Sequence, residues 1–137
     1  MLDEEKILQS YRHIAVVGAS NNPDRASYRV FQYLSERGYN VIPINPTLPE
    51  VLGRKCYPSL SAVPPPVEVV DIFRRSEAVM PIVEEAIKTG VKVIWMQQGV
   101  INEAAAARAR AAGLIVMMDK CMRTEHALMI ERANWEQ

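Results

Sequence analysis

A glycine and small polar residues follow the apolar run at 14–17, in the order Gly18-Ala19-Ser20-Asn21. This pattern predicts a buried strand leading into an anion-binding loop, because glycine leaves room for an anion and the N–H groups of the next helix can point at it. The dinucleotide fingerprint G-x-G-x-x-G is incomplete, since Ser20 and Pro23 stand where its second and third glycines would fall. The loop therefore predicts a nucleotide-like ligand without specifying a dinucleotide.

Other candidate residues follow the remaining predicted strands. In open parallel sheets the ligand lies outside the carboxyl ends of the strands, where the strand order reverses. The residues at those positions are Asn45 and Pro46, Arg74 and Arg75, Gln97 to Gly99, and Asp119 to Cys121. These positions contain amides, arginines and a thiol but no paired carboxylates. We therefore predict neither catalytic nor metal-binding residues.

The elements that position these residues alternate along the chain. Apolar runs predict strands at 14–17, 40–44, 67–73, 91–96 and 114–118, and helix-period patterns predict helices at 25–38, 76–90 and 102–113. Each of these three helices ends at a glycine, and Asn102 is a candidate N-cap. We also expect a helix at each end of the chain and a proline-rich excursion over 45–66. The fold predicted is α/β, Rossmann-like and doubly wound, with a five-stranded, mainly parallel sheet covered by helices on both faces.

Composition limits the class of protein. The 137 residues are 49% hydrophobic, which is enough to bury one core, so residues 1–137 are expected to form a single domain. Sixteen basic residues balance sixteen acidic ones, so no nucleic acid or membrane partner is predicted. The N-terminus lacks a secretory pattern, and the two cysteines lie far apart. A cytoplasmic protein with free thiols is the expectation.

Four strand-end motifs together resemble a known family. Val-Gly-Ala-Ser, Pro-Ile-Asn-Pro, Asp-Ile-Phe-Arg and Trp-Met-Gln-Gln-Gly-Val follow one another in the order and spacing of the small single-domain CoA-binding proteins. That family is similar to the CoA-binding domain of the succinyl-CoA synthetase alpha subunit. The resemblance covers about residues 7–121 and implies coenzyme A or an acyl-CoA as the ligand.

The resemblance also implies roles for individual residues. Gly18, Ala19 and Ser20, continued by Asn21, would surround the CoA phosphates, with Arg25 adding charge. Asn45 and Pro46 would flank the adenosine end, and Phe73 and Arg74 would lie along the nucleotide or pantetheine. Gln97 and Gly99 would border the pantetheine channel, and Cys121 would lie near its mouth. These residue types suit the ligand, because arginines and loop donors bind phosphates while apolar walls and a few amides suit pantetheine.

Structural interpretations stay open for several of these residues. Asn45 can start a turn, Gln97 can cap the next helix, and Phe73 can belong to the core. A mixed disulfide with CoA under oxidation and a partly buried free thiol are both interpretations of Cys121. The basic neighbours of Cys56 could lower the pKa of its thiol.

Three classes of function follow. The favoured one is a non-catalytic CoA or acyl-CoA carrier, sensor or regulator. An NAD(P)-dependent oxidoreductase is disfavoured because Asn45 stands where such chains usually place an acidic residue for the ribose. An accessory subunit that acts in trans with an acyl-CoA ligase is the third class, and a protein partner or homo-oligomer stays open.

Overall fold

The computed structural model describes residues 2–135, and the structure is an α/β fold built on one parallel sheet. The five strands of the sheet are β1 (His13–Val17), β2 (Asn40–Ile44), β5 (Val69–Ile72), β6 (Val93–Met96) and β7 (Ile115–Met117). They lie in the order β2-β1-β5-β6-β7, and every neighbouring pair is parallel. The predicted five-stranded, doubly wound sheet is confirmed, and the strand order reverses between β1 and β5.

Five α-helices cover the two faces of the sheet. They are α1 (Asp3–Ser10), α2 (Ala26–Glu36), α3 (Val79–Lys88), α4 (Glu103–Ala111) and α5 (Met122–Trp135). Helices α1, α2 and α5 pack on one face and α3 and α4 on the other, so the buried residues form two clusters. Among residues 2–135 no helix combines the length and hydropathy that crossing a membrane requires.

The bounds of several elements differ from the sequence prediction. The predicted helix at 76–90 begins as a 3-10 turn, Ser76–Ala78, before α3. The excursion at 45–66 contains a short antiparallel pair, β3 (Glu50–Val51) and β4 (Arg54–Lys55), and a 3-10 turn at Leu60–Ala62. The predicted C-terminal helix is α5, although its last two predicted residues lie outside the described range. The carboxyl ends of the five strands all lie within one residue of the predicted positions, since β5 ends at Ile72 instead of 73 and β7 at Met117 instead of 118.

Strand alternation assigns the residues of β5 to opposite faces. Val70 and Ile72 belong to the cluster under α3 and α4, whereas Val69 and Phe73 belong to the other cluster. Asp71 therefore shares the face of Phe73, toward α1, α2 and α5. Trp95 lies beside Asp71 on β6 and is fully buried on this same face.

Candidate functional site

Gly18 lies where the ends of β1 and β5 come together. Its φ is +93°, a conformation that L side chains rarely adopt. A Cβ added to Gly18 would collide with the carbonyl oxygen of Phe73 and lie 3.0 Å from its carbonyl carbon. Glycine is therefore required here by the close approach of the Phe73 backbone, a contact within the protein.

The first two amides of the loop are already bonded inside the protein. The N–H groups of Gly18 and Ala19 both donate to the carbonyl of Ile44, at 3.0 and 3.2 Å. The Ser20 hydroxyl accepts from the N–H of Asn22 at 3.0 Å. These bonds tie the loop to the end of β2, so the Gly18 and Ala19 amides are not free donors for an anion.

Asn21 and Asn45 use their side chains to hold neighbouring loops. The Asn21 amide donates to the carbonyl of Glu50 at 2.9 Å. Asn45 donates to the carbonyl of Ala19 at 2.9 Å, and its Oδ1 accepts from the N–H of Thr47 at 2.9 Å. The geometry of Asn45 is thus that of a turn residue. Pro46, which follows it, is exposed.

The start of α2 supplies the donors that the loop itself lacks. Arg25 precedes the helix in an extended conformation, no side chain caps the helix, and its first turn holds no acidic residue. Within residues 2–135 the N–H groups of Ala26, Ser27 and Tyr28 have no hydrogen-bond partner outside the helix. Unpaired amides at a helix N-terminus, together with the positive end of the helix dipole, favour an anion.

A cavity of about 430 Å³, which we call the loop cavity, opens in front of these donors. It is lined by Gly18, Ala19, Ser20, Arg25, Ala26, Ser27, Asn45, Phe73 and Arg74. Arg25 is exposed and Arg74 half-buried, and neither forms a salt bridge among the described residues. Since no acidic residue lines it, the loop cavity is electropositive.

A second cavity, the helix cavity, adjoins the first and has a volume of about 610 Å³. Ala26 and Phe73 line both cavities. The other residues of the helix cavity are Arg29, Gln97, Gln98, Val100, Cys121, Arg123, Thr124, Ala127, Leu128 and Glu131. The two cavities therefore adjoin at Phe73, along the carboxyl edge of the sheet.

Gln97 and Cys121 meet in the helix cavity, and Gly99 lies outside it. The buried Gln97 accepts a hydrogen bond from the N–H of Met122 through Oε1, at 3.3 Å. Cys121 is half-buried and lines the cavity beside it. Gly99 lines neither cavity, and its N–H donates to the Asp119 carboxylate at 2.7 Å. Gly99 thus shapes the loop after β6, while Gln98 and Val100 border the cavity.

Sequence reasoning missed the contribution of α5 to the lining of the helix cavity. Thr124, Ala127, Leu128 and Glu131 line the helix cavity and recur at three- and four-residue intervals. That spacing places them on one face of a helix. Because the helix begins directly after Cys121, this periodicity was the signal that could have identified α5 as part of the cavity lining.

Sequence reasoning also missed Asp71, the acidic residue inside β5. Its side chain is fully buried, and neither carboxylate oxygen has a hydrogen-bond partner. Burial raises the pKa of Asp71 well above its ordinary value, and a negative charge on Cys121 raises it further. A charged residue within an otherwise apolar strand was the signal for this group.

Two other reactive side chains, Cys56 and His126, are buried in the protein interior. Cys56 is buried, and desolvation raises the pKa of its thiol, so the suggestion that basic neighbours lower it is wrong. His126 is buried and hydrogen-bonds through Nδ1 to the Tyr33 hydroxyl at 2.9 Å, and burial lowers its pKa. Over the described part of the chain, no three His, Cys, Asp or Glu side chains are grouped to hold a metal ion.

Comparison with known proteins matches this chain to a family described as "CoA binding domain" over residues 12–127. The uncharacterized protein YneT of Bacillus subtilis is 42% identical over 124 residues, which cover 90% of this chain and 92% of YneT. A solved hypothetical protein from Pyrococcus horikoshii OT3 has a TM-score of 0.91 at 47% identity, covering 93% of this chain and 90% of its own. The alpha subunit of acetate–CoA ligase (ADP-forming) II from Pyrococcus furiosus is 39% identical over 82 residues, which cover 59% of this chain and 18% of that subunit.

Proposed function

The chain belongs to the CoA-binding domain family, and from this premise we propose that it binds coenzyme A or an acyl-CoA along the carboxyl edge of the sheet. The observation that carries the proposal is the pair of adjoining cavities, one electropositive and one bordered by apolar and amide groups. Coenzyme A has the same division, because its phosphates are anionic whereas its pantetheine arm is uncharged.

The loop cavity is the place for the phosphates. The unpaired amides of Ala26 to Tyr28 can donate to phosphate oxygens, and Arg25 and Arg74 can add charge-assisted hydrogen bonds. Gly18 and Ala19 contribute by holding the loop against β2, since their own amides are bonded to Ile44. In this arrangement the start of α2 and the arginines bind the phosphates, whereas in a glycine-rich loop the amides of the loop itself bind the anion.

The helix cavity is the place for the pantetheine arm. Phe73 lines both cavities, so the arm would cross its side chain on leaving the phosphates. Val100, Ala127 and Leu128 supply apolar contacts there. The Nε2 group of Gln97 makes no hydrogen bond within residues 2–135, which leaves it free to donate to a pantetheine carbonyl.

We propose a binding role, as a carrier, sensor or regulator, without catalysis of its own. Support comes from the lining residues, which include no His and no nucleophile paired with a base in hydrogen-bond contact. The chain spans 18% of the ligase alpha subunit that it resembles, so the similarity to that enzyme concerns a shared region. Binding of NAD is disfavoured because the side chain of Asn45 is engaged in the turn it forms.

Isothermal titration calorimetry with coenzyme A, NAD and ATP under reducing conditions tests the proposal. We expect coenzyme A to bind tightest. Arg25→Ala and Arg74→Ala should each weaken it by about tenfold or more, because hydrogen bonds to charged groups contribute about 1.5–3 kcal/mol. Arg110→Ala is the matched control, since Arg110 is exposed on α4, on the opposite face. Absent coenzyme A binding, equal NAD binding, or unchanged affinity in both loop-cavity variants would contradict the proposal.

A further inference from the structure

A third cavity, which we call the arginine cavity, is formed by α2, the residue that follows it and the first turn of α5. Its volume is about 360 Å³. It is lined by Arg29, Gln32, Tyr33, Glu36, Arg37 and Arg123. Arg29 and Arg123 also line the helix cavity, so the two cavities adjoin at these side chains. The arginine cavity therefore begins beside the place proposed for the pantetheine arm.

Tyr33 brings two guanidinium groups together in the arginine cavity. The guanidinium carbon of Arg37 lies 4.1 Å from the centre of the Tyr33 ring, and that of Arg123 lies 5.6 Å from it. A cation within about 6 Å of an aromatic ring is attracted to the ring face. The Tyr33 hydroxyl is bonded to Nδ1 of the buried His126 at 2.9 Å, which fixes the position of the ring. One guanidinium from the end of α2 and one from the start of α5 are thus held beside the same ring.

The positive charges of the arginine cavity are only partly balanced. Glu36 is its one acidic lining residue, and its carboxylate approaches the exposed Arg37 at 3.8 Å. Arg29 donates to the carbonyl of Pro23 at 3.1 Å, and neither Arg29 nor Arg123 forms a salt bridge within residues 2–135. Like charges repel when they are held close together, so guanidiniums without acidic partners favour a bound anion.

Building on the coenzyme A site proposed above, we propose that the arginine cavity binds the end of the acyl group and that the preferred ligand is an acyl-CoA whose acyl chain ends in a carboxylate. The phosphates of coenzyme A are assigned to the loop cavity, and the pantetheine arm is uncharged. An anion at the far end of the helix cavity must therefore come from the acyl group.

The positions of the charged side chains fit a terminal carboxylate. Arg29 and Arg123 would meet the acyl chain where it leaves the helix cavity, and Arg37 lies beyond them. A guanidinium can donate two parallel hydrogen bonds to one carboxylate, which gives preference for this group over a methyl. Glu131, the acidic residue of the helix cavity, lies about 12 Å along α5 from Arg123, so its charge disfavours a carboxylate at the other end.

Isothermal titration calorimetry with matched ligands tests the proposal. Glutaryl-CoA and pentanoyl-CoA have acyl chains of equal length and differ in a terminal carboxylate against a methyl, and succinyl-CoA and butyryl-CoA form the same comparison with a shorter chain. We expect the carboxylate member to bind about tenfold tighter in at least one pair, because each exposed guanidinium contributes about two- to fivefold. The preference should decrease between about 0.05 and 0.5 M salt, since exposed charges are screened. Equal affinities within both pairs would overturn the proposal.

Variants of the two stacked arginines locate the preference in the structure. Arg37→Gln and Arg123→Gln should each lower the ratio of the two affinities about two- to fivefold, and the double variant should abolish the preference. Because the ratio is taken within one variant, an effect shared by both ligands cancels. Arg110→Gln is the matched control, since Arg110 is exposed on α4 on the opposite face, and it should keep the ratio. An unchanged ratio in the double variant would refute the assignment.

This proposal and the coenzyme A site fail in different ways. If coenzyme A binds and no carboxylate ligand binds tighter than its neutral match, only the acyl proposal is overturned. If no coenzyme A ligand binds, the coenzyme A site itself is wrong. Free glutarate that binds as tightly as glutaryl-CoA would make the cavity a site for free dicarboxylates and overturn the acyl assignment. Equal losses of affinity for coenzyme A and glutaryl-CoA in Arg37→Gln would assign Arg37 to a coenzyme A phosphate, which also overturns it.

Discussion

Replacing Gly18 with alanine should destabilise the protein through two separate effects. The φ of +93° is unfavourable for any L residue, which costs about 1–3 kcal/mol. The added Cβ also collides with the carbonyl oxygen of Phe73, which is backbone and cannot rotate away. Overpacking of this kind costs a further ~1–3 kcal/mol. The expected loss is therefore a large fraction of the ~5–15 kcal/mol by which a typical domain is stable.

Gly90 provides a matched control for the first effect. Its φ is +79°, and a Cβ at Gly90 would meet no heavy atom within 4 Å. It lies between α3 and β6, at the edge of the sheet opposite the cavities. Gly90→Ala should therefore show the conformational cost alone, and Gly18→Ala should exceed it by about 1–3 kcal/mol.

Urea unfolding followed by circular dichroism measures both free energies of unfolding. Calorimetry on the same samples should show weaker coenzyme A binding in Gly18→Ala, because relief of the collision displaces Phe73 at the junction of the two cavities. Gly90→Ala should bind normally. Equal losses of stability in the two variants would refute the reasoning, since the Phe73 contact would then carry no cost.

Three further outcomes are expected in urea unfolding. Burial raises the pKa of Asp71, so the folded protein loses stability as the pH rises above about 4, the ordinary pKa of an aspartate. Asp71→Asn should therefore become more stable relative to the unaltered chain from pH 5 to pH 8. A difference in stability that stays constant over this range would contradict the prediction. Asn102→Ala should lose about 1 kcal/mol, because the Asn102 side chain caps α4 by accepting from Ala105 at 2.9 Å. Burial lowers the pKa of His126, so stability should fall as pH drops below about 6.5, and His126→Gln should flatten that dependence.

The sequence located the candidate site because parallel strands end at one edge of a sheet. Gly18, Arg74, Gln97 and Cys121 follow different strands, yet all of them line the two cavities. Their positions depend on strand type and direction, which hydrophobic periodicity indicates. The site could be placed without knowledge of any side-chain contact.

The hydrogen bonds that each residue makes could not be predicted in the same way. The Gly18 and Ala19 amides are bonded to Ile44 because of how the end of β1 meets the end of β2, and nothing in the loop sequence specifies that register. The same holds for Asn45, whose side chain bonds to Ala19 across the two loops. The free N–H donors consequently lie at the start of α2, whereas the loop sequence alone suggested the loop that begins at Gly18.

Asp71 is a residue whose energetic effect the sequence could not predict. Its position inside an apolar strand indicates burial, but only the structure shows that neither carboxylate oxygen has a hydrogen-bond partner. A carboxyl that mainly supported packing would lose stability at every pH when asparagine replaced it. A buried carboxyl without partners predicts instead that Asp71→Asn becomes more stable than the unaltered chain as the pH rises, because the cost of charging Asp71 in an apolar layer is removed.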